Sequence, residues 1–460
     1  MDIDKDTPAE LIQEETAVEI TETNQNLTAD VNGSQPNEQE SASLLATTAN
    51  YLEYPRLICG SWKEFGSRNR DCFTKGCKWS PDGTCLLSCG DDNSLRFFDL
   101  PRQLYSTKRM DDSHDFYEIS PSLKISEGEL IYDYCWYPLM SSWNPETCLL
   151  ASTARNGPVH LWDAYTGKLA ASYRAYNSVD EVESAYSICI SPGGEKLYCG
   201  FNKTIRVFDL NCPGRNCETR STKIKKSASV NQPGIISCIT VNPALPSIYC
   251  AASYLKTIAL GFFHLGVYSE PDGQTLCVLQ GHRGGVTHLR FSHDGTLLFS
   301  GGRKDPEILC WDLRNPGQVL FTMKRNVQTN QRIYFDLNPT GRFLVSGDTT
   351  GHVLTWDITS APGEDGILVP VSSFRLNEDC TNGIACHQWL PIIATSSGQR
   401  HIPQVAEEES SGEDDEPLLI RSPYGENSVK LWWAGENCTR EDGFANLHTN
   451  TSESSAVLSQ

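Results

Sequence analysis

Four residues in one short stretch could do chemistry together: His282, Ser300, Asp305 and Trp311. A serine, a histidine and an aspartate are the parts of a nucleophilic hydrolase, the histidine taking the serine proton and the aspartate orienting the imidazole. No GxSxG elbow or oxyanion loop accompanies them here. The same residue types with a tryptophan also serve as buried polar partners within a repeat, and that structural role is the one expected. HExxH and GxxxxGK[ST] are missing from the sequence, as is any GxGxxG set between a strand and a helix. The 18 cysteines form no CxxC pair and no His/Cys cluster with zinc spacing. Most (Cys135, Cys189, Cys199, Cys238, Cys250 and Cys310 among them) lie in apolar runs, where a free thiol packs as a small hydrophobe. Neither enzyme activity, cofactor, metal nor disulfide is expected.

The elements that position these residues are repeats. Six β-prone runs end in an aromatic pair or an aromatic and an aspartate: Phe98-Asp99, Trp162-Asp163, Phe208-Asp209, Trp311-Asp312, Trp356-Asp357 and Trp432-Trp433. The gap between Asp209 and Trp311 is about twice the usual length and has room for a degenerate seventh copy, placed at residues 256–262. Turns of the form SPDG, SPGG (191–194), SHDG (292–295) and NPTG (338–341) separate alternating runs. Repeats of about 40–50 residues with this ending are WD40 blades. The fold expected is all-β, a seven-bladed WD40 β-propeller over residues 51–433, with residues 55–61 supplying the outer strand of the last blade. Insertions are expected at residues 101–129, 360–373 and 401–427.

Charge is distributed unevenly. The net charge is −20, and residues 1–50, 401–428 and 434–460 carry −10, −7 and −3 of it, so the repeat body is neutral. The first 50 residues contain no aromatic and are expected to be a disordered acidic arm. Residues 401–428, with QVAEEESSGEDDEP inside, read as an acidic disordered loop, and residues 434–460 as a disordered tail. Ser410 and Ser411 precede acids as in an acid-directed kinase site, and Ser34-Gln35 has the form of a damage-kinase site. The opening MDIDKD lacks the basic and apolar regions of a secretory signal, and no apolar run reaches about 18 residues. A reducing cytosolic or nuclear compartment and no membrane association are expected. KIKK at Lys223–Lys226 is too short a basic run to encode nuclear targeting.

Aligning the blades brings out a second set of candidates. The turn between second and third strands lies on one face in every blade, and in five blades it carries a cation: Arg155, Lys203, Lys256, Arg303 with Lys304, and Arg400. Blade-to-blade turns on that face hold Tyr176-Asn177, Arg283, Asn330-Gln331-Arg332 and Thr381-Asn382. Cations for phosphates, amides for base edges and aromatics for stacking are the means by which single-stranded RNA is recognised. Exposed turns carry lysine and arginine in protein-binding propellers too, and these residues alone favour a protein partner. Tyr176 suits a stacking platform or a rim-packing role equally.

Longer strings carry a specific resemblance. IYDYCWYPLMSS (131–142), HLWDAYTG (160–167), CGFNKTIRVF (199–208), PGRNCE (213–218), GGRKDPEILCWDLR (301–314), TNQRIYFDLNPTG (329–341) and SGQR (397–400) are similar to the telomerase Cajal body WD40 protein family. The resemblance implies a non-enzymatic scaffold of nuclear Cajal bodies and telomeres, with some protein in the cytoplasm. It implies recognition of the Cajal body box, a loop motif of small Cajal body RNAs and telomerase RNA. The implied partners are dyskerin-containing H/ACA core proteins and telomerase, with the cytosolic chaperonin for folding and a monomer within the larger particle. A role in DNA repair, as a protein adaptor without direct RNA contact, is the alternative the family admits. Several family strings coincide with the turns picked by blade alignment. Arg303, Lys304 and Arg332 are therefore the leading RNA-binding candidates, followed by Lys203, Arg155, Lys256, Arg400, Asn330 and Gln331.

Overall fold

The computed structural model describes residues 49–67, 70–107, 109–110, 116–222, 232, 234–255, 265–401, 404–405, 419–420 and 425–435. Almost all of the acidic arm, most of the acidic loop, the tail beyond residue 435, Lys256, Ser34, Ser410 and Ser411 lie outside these residues.

Seven antiparallel sheets follow one another along the chain. Blade 1 is built from Thr74–Trp79, Cys85–Gly90, Ser94–Asp99 and Leu123–Ser126, and blade 2 from Ile131–Trp136, Leu149–Ala154, Val159–Asp163 and Leu169–Tyr173. Blade 3 uses Ser187–Ile190, Lys196–Gly200, Thr204–Asp209 and Glu218–Ser221; blade 4 uses Ile236–Val241, Ile248–Ser253, Leu265–Ser269 and Thr275–Leu279. Blade 5 comprises Val286–Phe291, Leu297–Gly302, Glu307–Asp312 and Val319–Lys324, and blade 6 Phe335–Leu337, Phe343–Gly347, His352–Asp357 and Ser372–Arg375. In blade 7, Thr381–Cys386, Ile392–Ser397 and Ser428–Trp433 are completed by Arg56–Ser61. That strand pairs antiparallel with Ser428–Trp433, matching Arg56 to Trp433 and Ser61 to Val429 around a bulge at Leu57/Cys59.

One placement differs from the sequence expectation. The third strand of blade 4 is Leu265–Ser269, not residues 256–262, which fall outside the described residues. Tyr249 pairs with Tyr268 just as Leu298 pairs with Trp311 in blade 5, so Tyr268-Ser269 occupies the Trp-Asp position. The hydroxyl of Tyr268 donates to Gln232, which in turn donates to the Ala251 carbonyl at 2.6 Å. The insertions also contain sheet: Tyr117–Glu118 adds a parallel strand to blade 7, and Ile367–Leu368 does the same for blade 5. Each covers an outer edge that would otherwise present unpaired backbone groups.

Core packing runs between blades. Cys250, Leu265 and Val267 of blade 4 form one buried cluster with Leu289, Phe291, Leu298, Leu309 and Trp311 of blade 5. Each fully buried aliphatic or aromatic side chain contributes about 1.5–3 kcal/mol through area removed from water. Gly295, closing the SHDG turn at φ 70°, is required twice: the angle is left-handed, and a Cβ there would lie 2.1 Å from Asn242 Oδ1.

Blades 7 and 1 are locked by His387. Its Nε2–H donates to the Gly83 carbonyl (2.9 Å), while Nδ1 accepts from the backbone N–H groups of Trp389 and Leu390, each at 3.0 Å. Only the neutral imidazole can do both. Burial lowers its pKa from 6.5 to about 4, opposed in part by the Gly83 hydrogen bond. The unfolded chain therefore binds the proton first, so this contribution is complete above pH 6.5 and is lost as pH falls towards 4. Unfolding midpoints measured from pH 7 to pH 4.5 are expected to fall, by up to about 1.4 kcal/mol per pH unit for this residue. His387→Gln should show a shallower decline, and an identical slope would remove His387 as the cause.

Candidate nucleic-acid interface

In blades 1, 2, 4, 5 and 7 the turn between the second and third strands is tied to the turn that brings the chain into the blade, and in blade 3 Lys203 N donates to Gly234 O (2.8 Å) in the turn that enters blade 4. Asp91 N donates to Phe73 O (2.9 Å), Arg155 N to Leu130 O (2.9 Å), Tyr254 N to Ile235 O (3.0 Å), Arg303 N to Gly285 O (2.9 Å) and Gly398 N to Cys380 O (2.8 Å). Both sets of turns thus share one rim, and the cations they carry surround one mouth of the central channel. Phe73, Tyr132, Tyr254, Asn330, Gln331 and Arg400, from distant parts of the chain, line a single cavity of about 560 Å³ there.

The candidates separate by what their charges touch. Lys203 and Lys304 are exposed, and Arg303 is half-buried with its guanidinium 4.8 Å over the Tyr254 ring and Nη2 donating to the Tyr254 carbonyl at 3.2 Å. Among the described residues no carboxylate lies within ion-pair distance of these three. Arg155 sits 3.7 Å from Glu129 and Arg400 3.5 Å from Asp91, which also holds Lys75 at 3.0 Å. Both arginines remain exposed, in pairs of little strength.

Lys203 and Lys304 share a further property. Both have left-handed backbone, at φ 60° and 48°, in turns where blades 1, 2 and 6 use Asn93, Asn156 and Gly351. A side chain other than glycine or asparagine costs about 1 kcal/mol there. Lysine, unlike asparagine, has no side-chain carbonyl to hydrogen-bond its own turn in compensation.

Arg332 is a correction. Its side chain is only 13% exposed and lies across the channel, donating from Nη1 to Asp133 Oδ1 (2.9 Å) and Tyr334 OH (3.2 Å) and from Nη2 to the Ser237 carbonyl (2.9 Å). Lys78 Nζ approaches the same Asp133 oxygen at 3.7 Å. This arginine joins three parts of the ring and forms the floor of the rim cavity; it is not an outward contact. Other rim groups are also committed. Asn382 donates to the carbonyls of Thr74 and Gly398 (both 2.7 Å) and accepts from Ser396 Oγ (2.8 Å), leaving no edge for a base. Asn177 caps its own turn through Val179 N and Glu181 N. The Tyr176 ring is covered by the Arg215 guanidinium at 4.5 Å, which gives it the rim-packing role. Asn330 is exposed beside the cavity.

The blade 5 set forms one chain of hydrogen bonds. His282 Nδ1–H donates to Asp305 Oδ2 (2.9 Å), Ser300 Oγ–H to His282 Nε2 (2.7 Å) and Trp311 Nε1–H to Ser300 Oγ (2.8 Å). All four are buried, so no substrate reaches Ser300. Burial works to raise the Asp305 pKa, but hydrogen bonds from His282 and from the Glu307 and Arg283 N–H groups hold it below the usual carboxylate value. Two variants of this chain escaped the sequence reading because they change residue type. In blade 2, Glu127 accepts from Ser152, from His160 Nδ1 (3.0 Å) and from Trp162 Nε1 (3.1 Å). In blade 6, Arg325 takes the place of His282 and donates to Ser346 Oγ at 2.6 Å.

A ring of such sheets, with a buried His-Ser-Trp link in blade 5 and Trp-Asp endings, defines a WD40-repeat β-propeller. The family model described as "WD domain, G-beta repeat" matches residues 71–99 and 273–312. Telomerase Cajal body protein 1 of Homo sapiens is 50% identical over 388 residues, covering 84% of this chain and 68% of that protein. The Mus musculus protein of the same name is 49% identical over 391 residues, covering 84% and 71%. The Drosophila melanogaster homolog is 34% identical over 439 residues, covering 92% and 77%. The chain belongs to the telomerase Cajal body protein 1 family.

Proposed function

We propose that the protein is a non-catalytic scaffold of H/ACA ribonucleoproteins that holds a single-stranded RNA loop on the cationic rim. The loop is the Cajal body box of small Cajal body RNAs and telomerase RNA. Binding would direct these RNAs to nuclear Cajal bodies and support telomere maintenance. The reading is supported by Lys203, Arg303 and Lys304, carried on turns between second and third strands, with no carboxylate in ion-pair reach among the described residues. Phosphates bind such charges without first displacing an internal partner. Dyskerin-containing core proteins and telomerase would be neighbours in the particle, and the cytosolic chaperonin would act in folding. Purified protein should cross-link to a synthetic hairpin carrying the box and not to one with the box scrambled, with adducts in the turns of Lys203 and Arg303. Equal cross-linking to both hairpins, or none, would overturn it.

A second reading rests on the opposite mouth. Trp143 is 95% exposed on the first turn of blade 2, with Leu139 nearby in sequence, and Trp389 is exposed on the first turn of blade 7. Both turns touch the first turn of blade 1: Ser142 N donates to Asp82 Oδ2 (2.6 Å), and Gln388 Nε2 reaches the Ser80 carbonyl (3.5 Å). Exposed tryptophans of this kind favour a protein partner. Such a face would serve an adaptor that meets RNA only through that partner, for example in DNA repair.

A further inference from the structure

Among the described residues the rim cavity holds two buried polar atoms without a hydrogen bond: Lys75 Nζ, which is ion-paired with Asp91 at 3.0 Å, and Gln331 Oε1, which has no partner. Gln331 lines it, and its Oε1 is buried without a hydrogen bond, whereas the Asn382 and Asn177 amides are committed and Asn330 is exposed. A buried carbonyl oxygen lacking a donor is costly to maintain. The cavity walls include Tyr132 and Tyr254, both half-buried, with the Tyr132 ring 5.2 Å from Tyr186 and the Tyr254 ring carrying Arg303 on one side. At the bottom of the cavity lies Arg332, paired with Asp133 at 2.9 Å. At the lip stand Arg303 and the Lys75–Asp91–Arg400 cluster, two cations to one acid.

We infer that this cavity seats one nucleobase turned out of the bound RNA loop, with Gln331 Oε1 accepting a hydrogen bond from its exocyclic amino group. A flat heterocycle needs aromatic walls, a donor for the orphan oxygen and cations where its phosphate emerges, and the cavity offers all three. The volume of about 560 Å³ accommodates one nucleoside and its sugar but not a folded peptide element. Adenine, guanine and cytosine carry an exocyclic amine; uracil does not, and could offer the oxygen only its ring N3–H. The inference rests on the rim being an RNA surface, and it adds which part of the rim reads sequence.

The test is an abasic scan of a synthetic hairpin carrying the Cajal body box, with affinity measured against the full-length protein. One loop position is expected to lose about ten-fold or more when its base is removed, the scale of a single stacking platform. At that position the analogue lacking only the amino group (inosine for guanosine, purine riboside for adenosine, pyrimidin-2-one riboside for cytidine) should cost about ten-fold against the wild type. Against Gln331→Leu it should cost nothing further. Cross-linking of that nucleotide to Tyr132 or Tyr254 gives the same answer without a variant, should Gln331→Leu fail to fold. If the intact hairpin binds but no single abasic site costs more than about three-fold, the rim holds RNA and the cavity is empty, which overturns the inference alone. An equal analogue penalty in wild type and Gln331→Leu also overturns it. Absence of binding to the intact hairpin removes the rim as an RNA surface, and this inference with it.

Discussion

Replacing Asp133 with alanine is expected to destabilise the folded ring by about 3–5 kcal/mol, the cost of stripping one partner from a buried ion pair. The carboxylate is 6% exposed and does four things at once. Oδ1 faces Arg332 Nη1 at 2.9 Å and Lys78 Nζ at 3.7 Å, and accepts from the Tyr134 N–H at 3.0 Å; Oδ2 accepts from the Ile188 N–H at 3.2 Å. Alanine would leave two cations facing each other in the channel with no anion between them. His288 adds no third positive charge, since burial and the nearby Arg332 hold its pKa well below 6.5 and keep it neutral. Denaturant titration of the single variants and of Asp133→Leu with Arg332→Met would separate pairing from packing. The double variant should recover most of the stability, because an apolar pair of similar volume removes both desolvation penalties. A change below about 1 kcal/mol for Asp133→Ala would mean that water reaches the pair and that it is no keystone.

Exchanging Arg303 and Lys304 together for alanine should have the largest effect on RNA binding. Removing one cation–phosphate interaction lowers the slope of log affinity against log salt by about 0.7 for a single strand, so the pair should reduce it by about 1.4. Stability should change by less than about 1 kcal/mol, since Arg303 gives up one surface cation–π interaction and the Lys304 side chain is exposed to solvent. Lys304→Asn sharpens the separation. Asparagine is better suited to φ 48°, so the melting temperature should hold or rise while affinity falls. Filter binding across a salt series, run beside thermal unfolding, checks both. A double variant that unfolds, or one that binds RNA with an unchanged salt slope, would return these residues to a structural role.

Much of this architecture is legible in the chain because blade endings and turns are local features. Trp311-Asp312 and the SHDG turn are read within a few residues, and the strand that completes blade 7 is visible as an abrupt change of composition after residue 50. Blade 4 misleads because Tyr268-Ser269 keeps the aromatic ring in register while discarding the aspartate; register is a property of pairing with Ile248–Ser253, which a single strand does not display. The rim follows from strand alternation, which fixes the end of the sheet on which each turn emerges. What alternation cannot supply is depth. Arg332 and Asn330 are two residues apart and equally polar, yet one lies across the channel and the other faces solvent. The partner that draws Arg332 inward, Asp133, is 199 positions away, and no local pattern announces it.

The outer strand of blade 7 has a consequence for synthesis. Arg56–Ser61 leaves the ribosome near the start of the folded region and waits for Ser428–Trp433, made near its end, before it has a sheet to join. Until then two adjacent blades expose hydrogen-bonding edges to every other nascent chain nearby. Contact order this high slows closure and prolongs that exposure. A ring sealed by its first and last strands therefore stays open until synthesis is nearly complete, and a chain truncated before residue 428 would release an open arc with six complete blades and a seventh unable to shut.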